Sequence, residues 1–258
     1  MMLTWNSDVY VEACLQSVID ATEHRNIRCE IFVIDNGSVD NTVGLLKDYA
    51  VRYPDIVKPI YLDHNTGTTY PRNLGLKQAK GKHIVVMDSD MEINEDTIPT
   101  LLQVMAKNPE AGLLAPKLVY GSGALQKSTD QFPTIFRKIY RYLFLKNIEK
   151  EERKNQQPSS EEKIDYAISA FWFFERDLLS SVGLLDENYF YAPEDVDYCL
   201  RVWKSKRQIL YVPQASAIHF AQEISRGFTL NKAMIEHIKG LAYYFWKHRY
   251  FFRRPKFY

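Results

Sequence analysis

The chain has 258 residues, of which 46% are hydrophobic and 25% charged. These are ordinary globular values and exclude disordered, collagen-like and low-complexity chains. No run of about 18 apolar residues occurs, so a bilayer-spanning helix is not expected. The net charge of +1 conceals an asymmetry. Residues 1–116 carry 10 Lys+Arg against 16 Asp+Glu, and the last 35 residues carry 8 against 1. The body is acidic and the basic character belongs to the tail. Three cysteines, Cys14, Cys29 and Cys199, are too few and too scattered for a disulfide scaffold or a Cys-type zinc site. Each sits in an apolar run, which fits buried thiols in a reducing compartment. The opening Met1–Trp5 is too short for a signal peptide and has no basic segment.

In chain order, Met1–Trp5 is a short apolar strand ending in the helix-start cluster Asn6-Ser7-Asp8. Val9–Ala21 places Val11, Leu15, Val18 and Ile19 on one helical face. Cys29–Ile34 is a β-branched run that stops at the turn signal Asp35-Asn36-Gly37-Ser38. A helix over Asn41–Tyr53, a strand over Ile56–Leu62, a helix over Tyr70–Ala79 and a strand over His83–Met87 follow. Next come a helix over Asp96–Lys107 and a strand over Gly112–Val119. Such alternation predicts an α/β domain with a parallel sheet covered on both faces. Tyr120–Lys163 is irregular, with a helical pattern over Ile135–Lys146 and a charge-dense, solvated stretch over Asn147–Lys163. The pattern resumes with an apolar run Tyr166–Phe174 and helices near Arg176–Val182 and over Val196–Ser205. Strands over Gln208–Val212 and Ala215–Phe220 come next, and the aromatic segment Leu230–Tyr258 is helical at first.

Ligands of α/β sheets bind at the carboxyl ends of the strands. Here those ends carry Asn6, Asp35-Asn36, Asp63-His64-Asn65 and Asp88-Ser89-Asp90. A nucleotide pocket rimmed by carboxylates recruits a cation, because phosphates and carboxylates otherwise repel. Asp88-Ser89-Asp90 is the sharpest signal, since alternate residues leaving a strand share a side and two carboxylates can then share one metal ion. The same triplet also reads as a turn with capping aspartates. Pro193-Glu194-Asp195-Val196-Asp197 opens an apparent helix. Its carboxylates suit the helix dipole, and one of them is equally placed to act as a general base. His219 lies in an apolar run, where a histidine is commonly a satisfied core residue. Gly-x-x-x-x-Gly-Lys-Ser/Thr and Gly-x-Gly-x-x-Gly are both absent, which disfavours ATP- and NAD-type phosphate cradles.

Taken in order, several segments resemble family 2 glycosyltransferases: Leu3-Thr4-Trp5-Asn6, Val33–Asp40, Asn65-Thr66-Gly67, Arg72-Asn73-Leu74-Gly75 and Asp88-Ser89-Asp90. Gly183–Glu187, Glu194–Asp197 and His219 continue the likeness, which spans about residues 3–220 and looks most like a rhamnosyltransferase-like branch of surface-polysaccharide enzymes. The resemblance implies a GT-A fold, with a mixed, mostly parallel central sheet flanked by helices. It implies inverting transfer from a UDP-, dTDP- or GDP-linked sugar to a glycan or lipid-linked acceptor, in polysaccharide or cell-envelope glycan synthesis. By matching position, Thr4 and Asn6 would line the nucleoside pocket and Asp35 would bind the base. Arg72 and Asn73 would lie near the donor, and Asp88 would face the ribose or sugar. Asp90 and His219 would hold Mg²⁺ or Mn²⁺, Asp195 would be the base supported by Glu194, and Phe171 and Trp172 would meet the acceptor.

The implied layout is a catalytic domain over 1–226, with a donor half at 1–119 and an acceptor half at 164–226, followed by a helical aromatic-basic extension over 227–258. Two departures stand out. The apolar run ahead of Thr4 is short, and Ser169-Ala170 stands where the family often has Gly-Ala. The tail, Tyr243–Arg254, interleaves aromatics with cations, which suits a membrane interface. It suits packing on the body or on a second subunit in a homodimer as well. Nucleic acid is disfavoured by the acidic body. The implied location is cytoplasmic, or peripheral at the inner face of the membrane. A non-catalytic nucleotide-sugar binder is the alternative reading, against which the retained acidic set argues. A nucleotidyltransferase lacks support because no Gly-rich basic loop follows the first strand.

Overall fold

The structure is a computed structural model and describes residues 1–138, 140, 160–221 and 232–258. The helix expected over Ile135–Lys146 and the stretch Asn147–Lys163 lie largely outside these residues, as does the 226/227 boundary. Eleven strands are found among the described residues: β1 (Met2–Thr4), β2 (Ile31–Asp35), β3 (Val57–Tyr61), β4 (His83–Asp88), β5 (Met91–Ile93), β6 (Ala111–Tyr120), β7 (Thr129–Asp130), β8 (Glu162–Lys163), β9 (Tyr166–Ala167), β10 (Phe171–Glu175) and β11 (Gln208–His219). The helices are α1 (Val11–His24), α2 (Thr42–Arg52), α3 (Thr69–Gln78), α4 (Thr97–Lys107), α5 (Leu178–Val182), α6 (Glu194–Lys204) and α7 (Lys232–His248).

The main sheet runs β3-β2-β1-β4-β10-β6-β11-β5, and β8 pairs with β11. Strands β3, β2, β1 and β4 are mutually parallel, and β11 is parallel to β6. Strand β10 enters antiparallel between β4 and β6. The result is the expected mixed, mostly parallel sheet. Buried residues form two clusters, one on each face. Helices α1, α2 and α4 contribute Leu15, Leu46 and Leu101 to one cluster. Helices α3, α6 and α7 contribute Leu76, Leu200 and Tyr244 to the other.

Strand β10 shows why a central strand reads as one apolar run. Phe171 and Phe173 enter the first cluster, and Trp172 and Phe174 enter the second. Alternate side chains point to opposite faces, and both faces are dry. Each such side chain contributes roughly 1.5–3 kcal/mol through burial.

Two strands expected over Gln208–Val212 and Ala215–Phe220 are one strand, β11, with a register shift between Val212 and Ser216. The irregularity lets the chain pass Pro213, which cannot donate to a ladder. Beyond it, β11 pairs with β5, a three-residue strand too short to leave a sequence signal, and His219 lies opposite Met91.

The tail packs on the body. Helix α7 crosses the loop before α6 so closely that a Cβ on Gly240 would come within 2.2 Å of the Ala192 carbonyl. Tyr243 donates to Asp186, and Lys247 donates to Asp186 and Asp197. Arg254, beyond the helix, pairs with buried Asp165. Among the described residues, no helix is long and apolar enough to cross a membrane.

Candidate active site

A cleft of about 480 Å³ opens at the carboxyl ends of β1 and β4. Its walls include Trp5, Arg72, Asp88, Asp90, Ser169, Glu194, Asp195 and His219. Strand β4 delivers Asp88, and the following turn delivers Asp90. The pairing of β5 with β11 then carries His219 to the same rim, and the Phe220 N–H donates to the Asp90 carbonyl at 2.9 Å. Ligand atoms of Asp88, Asp90 and His219 all lie within 4.8 Å of one another. His219 Nε2 is 3.4 Å from Asp90 Oδ1, which is buried and accepts no hydrogen bond. Gln126 Oε1 lies 2.9 Å from His219 Nδ1. As an acceptor, it places the ring proton on Nδ1 and leaves Nε2 facing the carboxylates. Two carboxylates and an imidazole form an O/N donor set that fits Mg²⁺ or Mn²⁺, and the unsatisfied Asp90 oxygen fits a bound cation.

Arg72 organises the cleft floor. Its guanidinium donates to Asp88 Oδ1 at 2.6 Å, to Glu194 Oε1 at 2.9 Å and to Ser169 Oγ at 2.8 Å. Ser169 in turn donates to Glu194 at 3.0 Å. Ser169 is therefore part of this network. Burial pushes the Glu194 carboxyl up, and Arg72 opposes that shift. Asp88 behaves the same way. Asp195, at the start of α6, accepts the Val196 N–H at 2.8 Å. Burial and then the neighbouring Glu194 charge push its pKa up to about 7.

The nucleoside-side residues divide. Thr4 and Asp35 are register partners in β1 and β2, and both are buried. Thr4 Oγ1 and Asp35 Oδ1 are buried without hydrogen-bond partners, which fits polar atoms kept for a ligand. Asn6 is different. At φ +50° it accepts the Val39 N–H, so its side chain fastens two loops. Asn73 is buried and binds Leu185 and Glu187, which ties α3 to the loop before α6. It acts as a clamp there and does not line the cleft.

Phe171 and Trp172 correct the acceptor expectation. Each is 1% exposed, in opposite core clusters, and Trp172 stacks on Tyr198. The cleft is lined instead by Ile168, Ser169, Ala170 and Tyr191. Gln126 and Ser169 are functional candidates that the motifs did not assign. Ser169 was legible as a departure from the family pattern, whereas Gln126 lies in an irregular segment with no local signal.

The fold and cleft define a GT-A type protein, with acidic strand ends on one wall and a helix-borne carboxylate pair on the other. The chain matches the family model "Glycosyl transferase family 2" over residues 1–183. It belongs to that family. It is 25% identical over 232 residues to an N-acetylglucosaminyl-diphospho-decaprenol L-rhamnosyltransferase of Mycobacterium tuberculosis, a match covering 84% of this chain and 74% of the relative. It is 31% identical over 99 residues to glycosyltransferase GlyG of Streptococcus pneumoniae, covering 38% of this chain and 32% of that one. Among solved structures, GalNAc-T7 with UDP, GalNAc and Mn²⁺ superposes with a TM-score of 0.70 at 15% identity, over 95% of this chain and 46% of that one. Mannosyltransferase PcManGT from Pyrobaculum calidifontis, in complex with GDP-Man and Mn²⁺, gives a TM-score of 0.63 at 18% identity, over 98% of this chain and 64% of that one. The chain thus spans from about a third to three quarters of these relatives' lengths.

Proposed function

We propose that this chain transfers a sugar from a nucleoside diphosphate donor to an acceptor hydroxyl with inversion, in the synthesis of a cell-envelope glycan. The observation that carries the reading is the pairing across one cleft of the Asp88–Asp90–His219 cluster with Asp195, poised at about 7. In this reading residues 1–119 hold the donor and 164–226 supply the acceptor side. Thr4 and Asp35 offer polar atoms to the nucleoside, and the cleft floor holds the sugar near Arg72 and Asp88. Held by Asp90 and His219 with Asp88 beside them, Mg²⁺ or Mn²⁺ would supply Lewis-acid stabilisation of the departing diphosphate.

Inversion requires the acceptor oxygen to attack the anomeric carbon from the face away from the leaving group. Asp195 takes the hydroxyl proton as the new bond forms, which contributes about 10²–10⁴-fold in rate. Its raised pKa suits the task, because a base near ambient pH is both ionised and basic enough to accept a proton. Arg72 and Ser169 fix Glu194, and the charge of Glu194 keeps the Asp195 pKa high. The reading is supported by relatives whose names carry a lipid-linked or polymeric glycan and by a solved neighbour in complex with a nucleotide sugar. For this chain, work at the cytoplasmic face of a membrane follows from such an acceptor.

A thermal-shift screen of UDP-, dTDP- and GDP-sugars with and without Mn²⁺ tests the proposal. A ligand that binds the native state raises its apparent stability. One donor class giving an Mn²⁺-dependent shift in the wild type, and none in Asp90→Ala, is the expected result. No shift with any donor would refute the reading.

A further inference from the structure

The two faces of helix α7 differ in kind. On the inner face Gly240 lies against the Ala192 carbonyl, Tyr244 is buried, and Lys247 is held by Asp186 and Asp197. On the outer face Ile235, Ile238, Ala242 and Trp246 are all exposed. Ile238 is 53% exposed and Trp246 61%. Steps of three and four residues separate them, so they form one stripe along the helix. Single apolar residues on a surface need no explanation, but a stripe in helical register does.

Cations border the stripe. Arg249 continues its spacing, is exposed, and sits over the Trp246 ring, 5.6 Å from its centre. Lys239 flanks it and pairs with Glu236 at 2.8 Å. Glu236 is the single acid in the last 35 residues, against 8 Lys+Arg. Arg253 and Lys256, beyond the helix, are exposed. Among the described residues neither they nor Arg249 pairs with a carboxylate. An apolar stripe with a tryptophan and flanking cations suits a helix lying in a membrane–water interface. Its apolar side chains enter the acyl boundary, the indole sits at headgroup depth, and the cations meet anionic lipid.

We propose that the outer face of α7 docks this protein on a bilayer surface bearing anionic headgroups. Ile235, Ile238 and Trp246 insert, and Arg249, Arg253 and Lys256 meet the headgroups. Charge selects the occupant. A second copy seated on this face would bring the same cations with it, and these repel, whereas anionic headgroups neutralise them. The loop that Gly240 touches also lines the cleft, through Tyr191 and Ala192. A docked bilayer therefore lies roughly 10 Å, one helix diameter, from the cleft wall. The use of such docking rests on the transferase reading, and the docking itself rests on α7 alone.

Vesicle flotation of the full chain, without donor or metal, tests the proposal. Wild type should float with vesicles of equal parts phosphatidylglycerol and phosphatidylcholine, less so as salt rises, and should stay behind with phosphatidylcholine alone. Ile238→Ser/Trp246→Ser and Arg249→Glu/Arg253→Glu should each bind the anionic vesicles about tenfold more weakly. Their melting temperatures should stay near wild type, because all four side chains are exposed. Brominated lipid should quench wild-type fluorescence, and Trp246→Phe should abolish that quenching although Trp5 is also 43% exposed. No flotation of wild type, equal flotation with neutral vesicles, unaltered binding in either double variant, or quenching that survives Trp246→Phe overturns the proposal. A chain that is dimeric without vesicles and monomeric as Ile238→Ser/Trp246→Ser overturns it in favour of a second copy on this face. No nucleotide sugar enters the experiment, so its failure leaves the cleft reading standing, and the thermal-shift screen decides that reading separately.

Discussion

Lys247 of the C-terminal helix donates to Asp197 at 2.6 Å, two residues beyond the carboxylate assigned as the base. Asp197 is fully buried and is also paired with Arg201 and His248. The third carboxylate of Glu194-Asp195-Val196-Asp197 is therefore the anchor of the tail. Burial alone would raise its pKa, but His248, Arg201 and Lys247 together hold it far below the usual carboxylate range. A depressed carboxylate contributes stability that is present above its ordinary pKa and lost as pH falls below it. Asp197→Ala should cost about 3–5 kcal/mol, because it removes a fully buried carboxylate that Arg201, Lys247 and His248 share. Urea unfolding at pH 7 against pH 3 checks this, with the gap between wild type and variant shrinking at the lower pH. Equal stabilities at pH 7 would refute the anchor.

Asp195 carries the opposite sign. Its folded pKa is raised from 3.8 to about 7, so ionising it costs the native state stability as pH rises through that window. Asp195→Asn removes that cost and the base together. The variant should unfold at higher temperature than wild type at pH 8, by on the order of 1–2 kcal/mol or roughly 2–6 °C after discounting for partial exposure. At pH 4 the difference should vanish. Turnover should fall about 10²–10⁴-fold, and wild-type kcat/KM should rise with pH through about 7. A variant with normal turnover, or one less stable at pH 8, contradicts the assignment.

Gln126 holds His219 through Nδ1. Groups that orient a metal-binding histidine typically set about 10–100-fold in metal affinity. Gln126→Leu should weaken Mn²⁺ binding by about that factor, with a near-native melting temperature. Titration followed by electron paramagnetic resonance measures the affinity directly. Undiminished Mn²⁺ affinity would remove Gln126 from the site.

Trp172 tests the corrected acceptor expectation. Its Nε1–H donates to the Ala167 carbonyl at 3.0 Å inside the core. Trp172→Ala should cost about 3–5 kcal/mol and leave the acceptor KM unchanged at temperatures where the variant is folded. Steady-state kinetics alongside thermal unfolding separates the two effects. A raised acceptor KM with intact stability would return Trp172 to the acceptor site.

Much of the fold and part of the cleft were legible because they are local. Strand β4 is a β-branched run that ends in Asp88, and helix α6 opens with carboxylates its dipole favours. Asp88, Asp90, Glu194 and Asp195 could thus be placed at element ends from short windows of sequence. Asn6 and Asn73 were less readable, since an asparagine at a strand end or on a helix looks the same whether it binds a ligand or fastens a loop. Only its hydrogen-bond partners decide. Phe171 and Trp172 failed for a related reason, because an apolar strand does not announce whether one of its faces borders a cleft.

The sequence by itself determined the alternation of strands and helices, the two carboxylate motifs and the basic aromatic tail. Those features depend on periodicity and on neighbours within a few residues. Tertiary structure decided that His219 meets Asp90, because that depends on the register of β11 against β5 after an irregularity in the strand. It decided too that Arg72 joins Asp88 to Glu194 and that Lys247 closes on Asp197. These are contacts between segments far apart in the chain, and which residues meet is set by sheet order and core packing, which no local pattern encodes.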